Sequence, residues 1–410
     1  MKQRLDITNF QGKYFELLTD PRVQPAFPEL IYDTKLDMYS LNISAKENSH
    51  FTAGLGGCIA SSPTNQLFLQ LRYEKFGERI LSLYGNYYAG SFYNSGLINA
   101  RLYDIAHLPY YFEFEAASNH WNYYRYTSYF FDVQNLIYLI EEQNYAKLNL
   151  TASLRNENKF GMNISEVYKR FTYHQSNMFK RSDTTDRTTY TPVVGELFFE
   201  HNSLNRKFYS NAGTHFKISA RYANGKIKTI LGNASPQTRD LKPPYTYDYF
   251  VFNADIEHYI KRNDVFSLGL KSSILFSTQE LLENYTASML NAPTFYPTHE
   301  SSTQFMQQFR SNQYAAAGLM AVFNPVANFD IRLEGYAFVP LRTIITEPTG
   351  QPFYADYFSQ FNMAFSGILV YYTKIAPISL SFNYYPYETR FNKFSFVFNI
   401  GVPIFNPKPL

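Results

Sequence analysis

The residues best suited to chemistry lie at the end of a long polar stretch and on the segment that follows it. Arg310 stands in FRSNQY (309–314), and Asp330, Arg332 and Glu334 alternate in FDIRLEGY. Alternation at every second residue places these three side chains on one face of a β-strand. A guanidinium can bind a carboxylate through two hydrogen bonds, so an inward-folded loop would let Arg310 pair with Asp330 or Glu334. The alternative is that Arg310 caps a surface loop.

Motifs for catalysis, metal binding or cofactor binding are otherwise absent from the sequence. There is no G-x-S-x-G, no H-E-x-x-H, no P-loop and no Cys/His ligand spacing. His215 stands beside Lys217 on a polar face, where a solvated side chain is the simpler interpretation. Cys58 is the only cysteine, which excludes an intrachain disulfide. We therefore predict no catalytic residue, no metal and no cofactor, although Ser and His on neighbouring strands of a membrane-embedded phospholipase would escape a motif search.

Composition narrows the class of protein. The chain has 37 Tyr and 38 Phe against one Trp, yet its mean hydropathy is −0.32. No run of about 18 apolar residues exists, which excludes helical membrane spans. Aromatic girdles with a polar lumen and polar loops are typical of an outer-membrane β-barrel. A secreted β-sandwich or large soluble β-protein is the alternative, and a net charge of +3 gives no indication of nucleic-acid binding.

The predicted elements are strands with one apolar and one polar face. In the last of them, residues 391–405, apolar side chains occupy every second position over a length close to the 9–11 residues that cross a bilayer. The pattern predicts about sixteen antiparallel strands, near residues 51–61, 65–75, 78–90, 93–104, 109–126, 143–154, 158–171, 190–202, 212–223, 247–261, 264–277, 312–325, 328–341, 360–373, 376–387 and 391–405.

Two further features indicate that the apolar faces meet lipid. The polar faces carry charges on many strands, and sixteen strands closed around apolar side chains would leave a lumen too wide for them to fill. Tight connections near 155–157, 262–263, 325–327 and 374–375 alternate with long polar ones near 127–142, 172–189, 224–246, 278–311 and 342–359. Short periplasmic turns and long extracellular loops have this distribution.

Residues 1–46 have a different pattern. An amphipathic helix over 12–18, a turn at 33–34 and an alternating strand over 36–44 predict the end of a small α+β module, with a disordered leader as the alternative. The start of the chain has no apolar signal-peptide core. We therefore expect the mature or truncated C-terminal part of a longer exported protein, with a module at 1–46, placed in the periplasm by the turn pattern, and a barrel at 47–410.

The junction of the first and last strands is predicted to be weak. Gly54, Gly56 and Gly57 pack little in the first strand, and Pro403 lacks a backbone donor in the last. A weak seam would suit lateral opening, whereas the alternative is that the glycines only relieve crowding. Residues 406–410 replace the usual terminal aromatic, so Phe405 is its expected substitute.

The strand series, the NSLNRK turn (202–207) with Gly213, and the ending FSFVFNIGVPIF resemble the bacterial surface-antigen barrel of the BamA/TpsB superfamily. Within it, the chain is similar to the C-terminal part of Bacteroidota patatin-like phospholipases. That resemblance implies a patatin lipase and one POTRA module before a sixteen-stranded barrel, with residues 1–46 as a partial POTRA. It also implies that Arg310 matches the arginine of the superfamily's inward loop, although Ser311-Asn312 replace its glycine, and that it meets Asp330 or Glu334.

The expected function is therefore a monomeric barrel of the bacterial outer membrane with a periplasmic N-terminus. It would anchor, and help export, a patatin-like phospholipase passenger without being catalytic itself. Outer-membrane lipid and, during biogenesis, the barrel assembly machinery are the other expected partners. The alternatives are a protein-assembly or translocation component of the BamA/TpsB superfamily and a passive porin.

Overall fold

A closed antiparallel β-barrel of sixteen strands forms the body of the protein. The computed structural model describes residues 23–24, 29–33, 38–42, 46–47, 50–75, 79–104, 110–125, 138–154, 157–176, 179–180, 182–236, 243–261, 263–347, 349–387 and 393–410. The barrel strands are β1 (Phe51–Ala60), β2 (Gln66–Lys75), β3 (Arg79–Gly90), β4 (Tyr93–Asp104), β5 (Tyr110–Asn122), β6 (Leu139–Leu154), β7 (Asn158–Tyr173), β8 (Asp186–Asn202), β9 (Gly213–Ile230), β10 (Tyr245–Lys261), β11 (Phe266–Ser277), β12 (Gln313–Val326), β13 (Phe329–Pro340), β14 (Asn362–Tyr372), β15 (Pro377–Tyr384) and β16 (Phe394–Ile400).

Each strand pairs with its neighbours in sequence, and β16 returns to β1 to close the ring. The predicted fold class and strand number are confirmed. Closure removes sheet edges, which is the condition for placing strands in lipid. Among the described residues, no helix is long and apolar enough to cross a membrane.

The two faces of each strand follow the period of two in the sequence. In β5, Phe112 and Phe114 point outward and are exposed, whereas Glu113 and Glu115 point inward and are buried. The predicted polar face is thus the lumen face, and Cys58 is buried on it. An apolar belt on the outside of a closed sixteen-stranded barrel is the surface of an outer-membrane protein.

Connections differ in length at the two ends of the barrel. At one end, called the short-turn end, most connections are short. A turn in which Asn328 adopts a φ of 63° joins β12 to β13, and β7 begins at Asn158 soon after β6 ends at Leu154. The opposite, long-loop end carries the connections between β11 and β12 and between β13 and β14. The second of these contains a hairpin, Arg342–Thr346 with Pro352–Tyr357, inside the segment predicted as a long polar loop.

Two strands depart most from their predicted ends: β9 was expected to end at residue 223 and continues to Ile230, and β16 ends early. The last strand was expected to continue to residue 405, but β16 ends at Ile400. Gly401 has a φ of +87°, in the left-handed region that favours glycine, and the chain leaves the sheet there. Pro403 consequently lies outside the strand.

Before the barrel, Glu29–Asp33 pairs with Met38–Asn42 as an antiparallel hairpin, and Val23–Gln24 pairs with Lys46–Glu47. The helix predicted over 12–18 lies outside the described residues. The division into a module at 1–46 and a barrel at 47–410 stays a prediction.

If lipid covers the outer face, the cost of a charge there depends on depth. Leu319 lies near the middle of β12 and Val326 at its end, and both are exposed, at 60% and 64%. We expect Leu319→Arg to lower the free energy of unfolding by about 2–4 kcal/mol and Val326→Arg by about 0–1 kcal/mol. Urea unfolding from lipid vesicles measures both values. Equal losses for the two variants would contradict a lipid-facing belt.

Candidate functional site

The lumen is filled by a loop that enters from the long-loop end. Residues 278–312, called the plug loop, contain helix α1 (Tyr285–Asn291), whose N-cap Asn284 accepts a hydrogen bond from the Ala287 amide at 2.8 Å. The Asn284 side chain also donates to the Tyr173 hydroxyl of β7 at 2.8 Å. The Asn284 side chain thus satisfies a free amide at the start of α1 and fixes the helix to the barrel wall.

Three more strands hold the plug loop inside the barrel. Lys271 of β11 donates to the Tyr296 carbonyl at 2.8 Å, and Ser381 of β15 donates to Glu300 at 2.8 Å. Asn362 of β14 donates to the Gln308 carbonyl at 2.9 Å. Contacts to four strands show that the loop lies in the lumen and not on the surface.

Arg310 is buried, but it does not meet the predicted carboxylates. Its Nη1 donates to the carbonyls of Met289, Leu290 and Ala292 at 3.2–3.3 Å, and its guanidinium lies 4.4 Å from the ring centre of Phe305. Carbonyls at the end of a helix lack partners within the helix and attract cations. Arg310 therefore caps α1 inside the lumen, and the predicted pair with Asp330 or Glu334 is wrong.

Other arginines pair with the two predicted acids. Arg206 Nη1 lies 2.9 Å from Asp330 Oδ2, and Tyr372 donates to the same oxygen at 2.8 Å. Arg332 Nε lies 2.8 Å from Glu334 Oε1. Arg206 belongs to the connection that the sequence marked only as a turn, and it lies 124 residues from Asp330. No local spacing reveals such a pair.

That connection, residues 203–212, folds into the barrel from the short-turn end and is called the inward turn. Its Ser210 carbonyl accepts a hydrogen bond from Arg332 at 2.7 Å. The rings of Phe208 and Tyr209 contact His299 of the plug loop, with centroid distances of 5.6 and 5.4 Å. The plug loop and the inward turn therefore meet within the lumen.

A third segment enters the lumen after Gly401. Residues 401–410, called the inner segment, run along the inner faces of several strands. Asn406 donates to Asn86 and Ser95 at 2.9 and 2.7 Å, and Lys408 Nζ lies 3.0 Å from Glu141 Oε1. The Phe405 ring packs edge-on against Tyr93 at 4.8 Å, so Phe405 is an internal residue instead of a terminal aromatic on the strand.

The seam between β16 and β1 is short because the chain leaves it at Gly401. Among the described residues, Asn399 with Ala60 and Ile400 with Ile59 are the two pairs there, whereas β6 and β7 share sixteen residue pairs. The Ser61 amide adds one hydrogen bond to the Phe398 carbonyl. Residues 52–58 of β1 have no strand partner opposite β2 among the described residues.

Of the residues predicted at the seam, Gly57 has a defined steric role, because a Cβ there would lie 2.5 Å from the Gln66 carbonyl oxygen of β2. A Cβ on Gly401 would lie 2.7 Å from the Gly57 carbonyl, so the chain crosses β1 closely there. A Cβ on Gly56 would meet only the Phe68 ring at an ordinary 3.6 Å, and one on Gly54 would meet the flexible Gln70 side chain. Pro403 lies in the inner segment and not in the seam. The predicted weakness of the seam itself stays a prediction.

Comparison with solved structures identifies the fold. BamA from Haemophilus ducreyi lacking POTRA domains 1–3 superposes with a TM-score of 0.62 at 11% identity, over 98% of this chain and 80% of that chain. The chain has a BamA-type barrel fold. CdiB from Escherichia coli gives 0.51 at 10% identity, over 97% of this chain and 71% of that chain. No protein-family model and no curated protein matches the sequence.

Both matches show the fold of these barrels alone, and neither points to a patatin module or to Bacteroidota. Within this BamA-type barrel, the described residues contain no group of three or more His, Cys, Asp or Glu side chains that could hold a metal ion. The candidate functional site is therefore the seam together with the three segments in the lumen.

A double-mutant cycle tests the ion pairing inside the BamA-type barrel. Arg206→Ala and Asp330→Asn should couple by about 0.5–3 kcal/mol in the free energy of unfolding, because their side chains are in contact and Asp330 is only 1% exposed. Arg310→Ala combined with Asp330→Asn should be additive. Coupling confined to the Arg310 pair would contradict the contacts described.

Proposed function

We propose that this protein is an outer-membrane assembly or translocation component that works through the β1–β16 seam. The observation that supports this function is the seam of two residue pairs beside an open stretch of β1. Backbone groups facing lipid without partners are costly, so a strand edge in this position favours pairing with another strand.

Residues 52–58 of β1 offer such an edge. Three glycines in this stretch leave little side-chain bulk over it. A strand of a client protein could add to β1 by main-chain hydrogen bonds, as extended peptides add to exposed sheet edges elsewhere. Separation of β16 from β1 would break the two existing residue pairs and lengthen the edge available to the client.

The filled lumen favours this function over a passive porin. The plug loop and the inward turn contact each other through His299, Phe208 and Tyr209, and the inner segment occupies the wall nearby. A diffusion pore needs a water-filled channel through the barrel. Translocation through this lumen would first require displacement of these segments.

Anchoring of a periplasmic patatin-like phospholipase, with the N-terminus in the periplasm, is our second and finer proposal. The resemblance of the chain to the C-terminal part of these phospholipases, within the superfamily that the NSLNRK turn and the ending FSFVFNIGVPIF resemble, favours it. The printed sequence contains no G-x-S-x-G serine, so we propose no hydrolytic role for this chain. A patatin reading frame directly upstream in the coding region would support the anchor, and its absence would remove it.

A reversible disulfide across the seam tests the assembly function. Ile59→Cys and Ile400→Cys place thiols on directly paired residues, in a Cys58→Ser background. Reconstituted in lipid vesicles, the reduced protein should accelerate the folding of an outer-membrane barrel client into protease-resistant form. Oxidation should abolish that acceleration, and reduction should restore it.

The matched control carries Leu148→Cys and Ile164→Cys, which are paired and lipid-facing at the fully zipped β6–β7 junction. Oxidation of this control should leave client folding unchanged. Retained activity in the oxidised seam variant, or no acceleration by the wild-type protein in either vesicle insertion or secretion assays, would overturn the proposed function.

A further inference from the structure

A cavity of about 500 Å³ lies in the lumen between the plug loop, the inner segment and the barrel wall. One end of it is basic. The cations there come from four separate parts of the chain: Lys169 from β7, Arg221 from β9, Arg310 from the plug loop and Lys408 from the inner segment. Glu141 of β6 is a carboxylate that lies among them.

These four cations are close enough to act on one another. Lys169 interacts electrostatically with Glu141 and with each of the other three cations. Glu141 already accepts a hydrogen bond from Lys408 at 3.0 Å, so its negative charge is divided between Lys169 and Lys408. Like charges brought together away from water are costly unless counter-charges balance them.

The donors of these side chains are not all used. Lys169 is 6% exposed and lies 4.9 Å from the Phe171 ring centre, but its amine has no hydrogen-bond acceptor or ion-pair partner among the described residues. The Nε atoms of Arg221 and Arg310 are buried and also lack protein acceptors. The Nε of Arg221 forms an ion pair with Glu196 at 3.8 Å, a distance too long for a hydrogen bond.

At the opposite end of the cavity, positive and negative side chains balance one another. Lys271 interacts there with Asp255 and Glu257 and donates to two plug-loop carbonyls. Asp255 accepts a hydrogen bond from Ser273 at 2.6 Å, and Glu257 accepts one from Tyr259 at 2.8 Å. The excess of positive charge and the unused donors are therefore confined to the basic end.

We propose that the basic end of the lumen cavity binds a multivalent oxyanion, a phosphate group being the chemistry that fits best. Arginine forks and lysine amines are the side chains that recognise phosphate. A volume of about 500 Å³ is in the range of small-molecule sites, so the phosphate can belong to a larger molecule.

Binding would have a structural consequence that rests on the proposed function. The side chains that would contact a bound phosphate come from the barrel wall, the plug loop and the inner segment. A bound phosphate would therefore tie both lumen segments to the barrel. A ligand that binds one state preferentially shifts the population towards it. Phosphate would thus favour the closed barrel and oppose displacement of the segments.

Isothermal titration calorimetry of the full chain in detergent tests the site, with pyrophosphate, inorganic phosphate and lipopolysaccharide micelles as probes. We expect saturable binding of at least one probe. A response to pyrophosphate or phosphate indicates a soluble ligand, and a response to lipopolysaccharide alone, lost after its dephosphorylation, indicates a lipid headgroup. Binding should weaken about ten-fold or more in Lys169→Met.

Lys408→Met provides a second variant outside the barrel strands, in case Lys169→Met does not fold, and it should also weaken binding. Lys217→Met removes a lysine of β9 that does not line the cavity, and it should bind as the wild type does. No binding of any probe, or equal binding by all three variants, would overturn the proposal. A protein that binds phosphate but accelerates no client folding would keep this site and lose only the proposed function.

Discussion

Pairing of backbone hydrogen-bond groups is the constraint on which this structure depends. In lipid, each amide and carbonyl needs a partner within the protein, and a closed ring of strands provides it. Residue pairs number from seven between β15 and β16 to sixteen between β6 and β7, but the closing junction has two. The turn at Gly401 causes this exception, because the residues that would have extended β16 enter the lumen instead.

The same turn links the seam to the interior. Continued pairing of residues 401–408 along β1 would close the seam and remove the inner segment from the lumen. In the observed arrangement, Asn406 and Lys408 satisfy polar groups on the inner wall, while β1 keeps an open edge. The inner segment could thus pair along β1 or lie in the lumen, and in this structure it lies in the lumen.

The plug loop and the inward turn form the second element of the interior. They approach from opposite ends of the barrel and meet at His299. Two buried carboxylates of the barrel wall accept hydrogen bonds in addition to their ion pairs, Asp330 from Tyr372 and Glu334 from Tyr336. The interior thus combines cross-linked polar groups with a cluster of buried aromatic and aliphatic side chains.

Most of the barrel could be predicted from the sequence, because the period of two assigns Phe112 and Glu113 to opposite faces wherever a strand continues. The ion pairs could not. Arg206 and Asp330 meet through the folding of a distant turn, and Arg310 finds its acceptors on a seven-residue helix within its own loop. The end of β16 did carry a signal, since Gly401 followed by Pro403 is a combination that disfavours a continued strand. The apolar residues at every second position continue past Gly401, and this alternation led to the prediction of a longer strand.

Amide hydrogen exchange at the seam tests this account most directly. The amides of residues 52–57 that do not bond to β2 should exchange at least about ten-fold faster than those of β9, whose two neighbours pair along its length. The β2-bonded amides of the same segment provide the internal comparison. Equal protection of both edges of β1 would mean that the seam is zipped in solution, and would contradict the account.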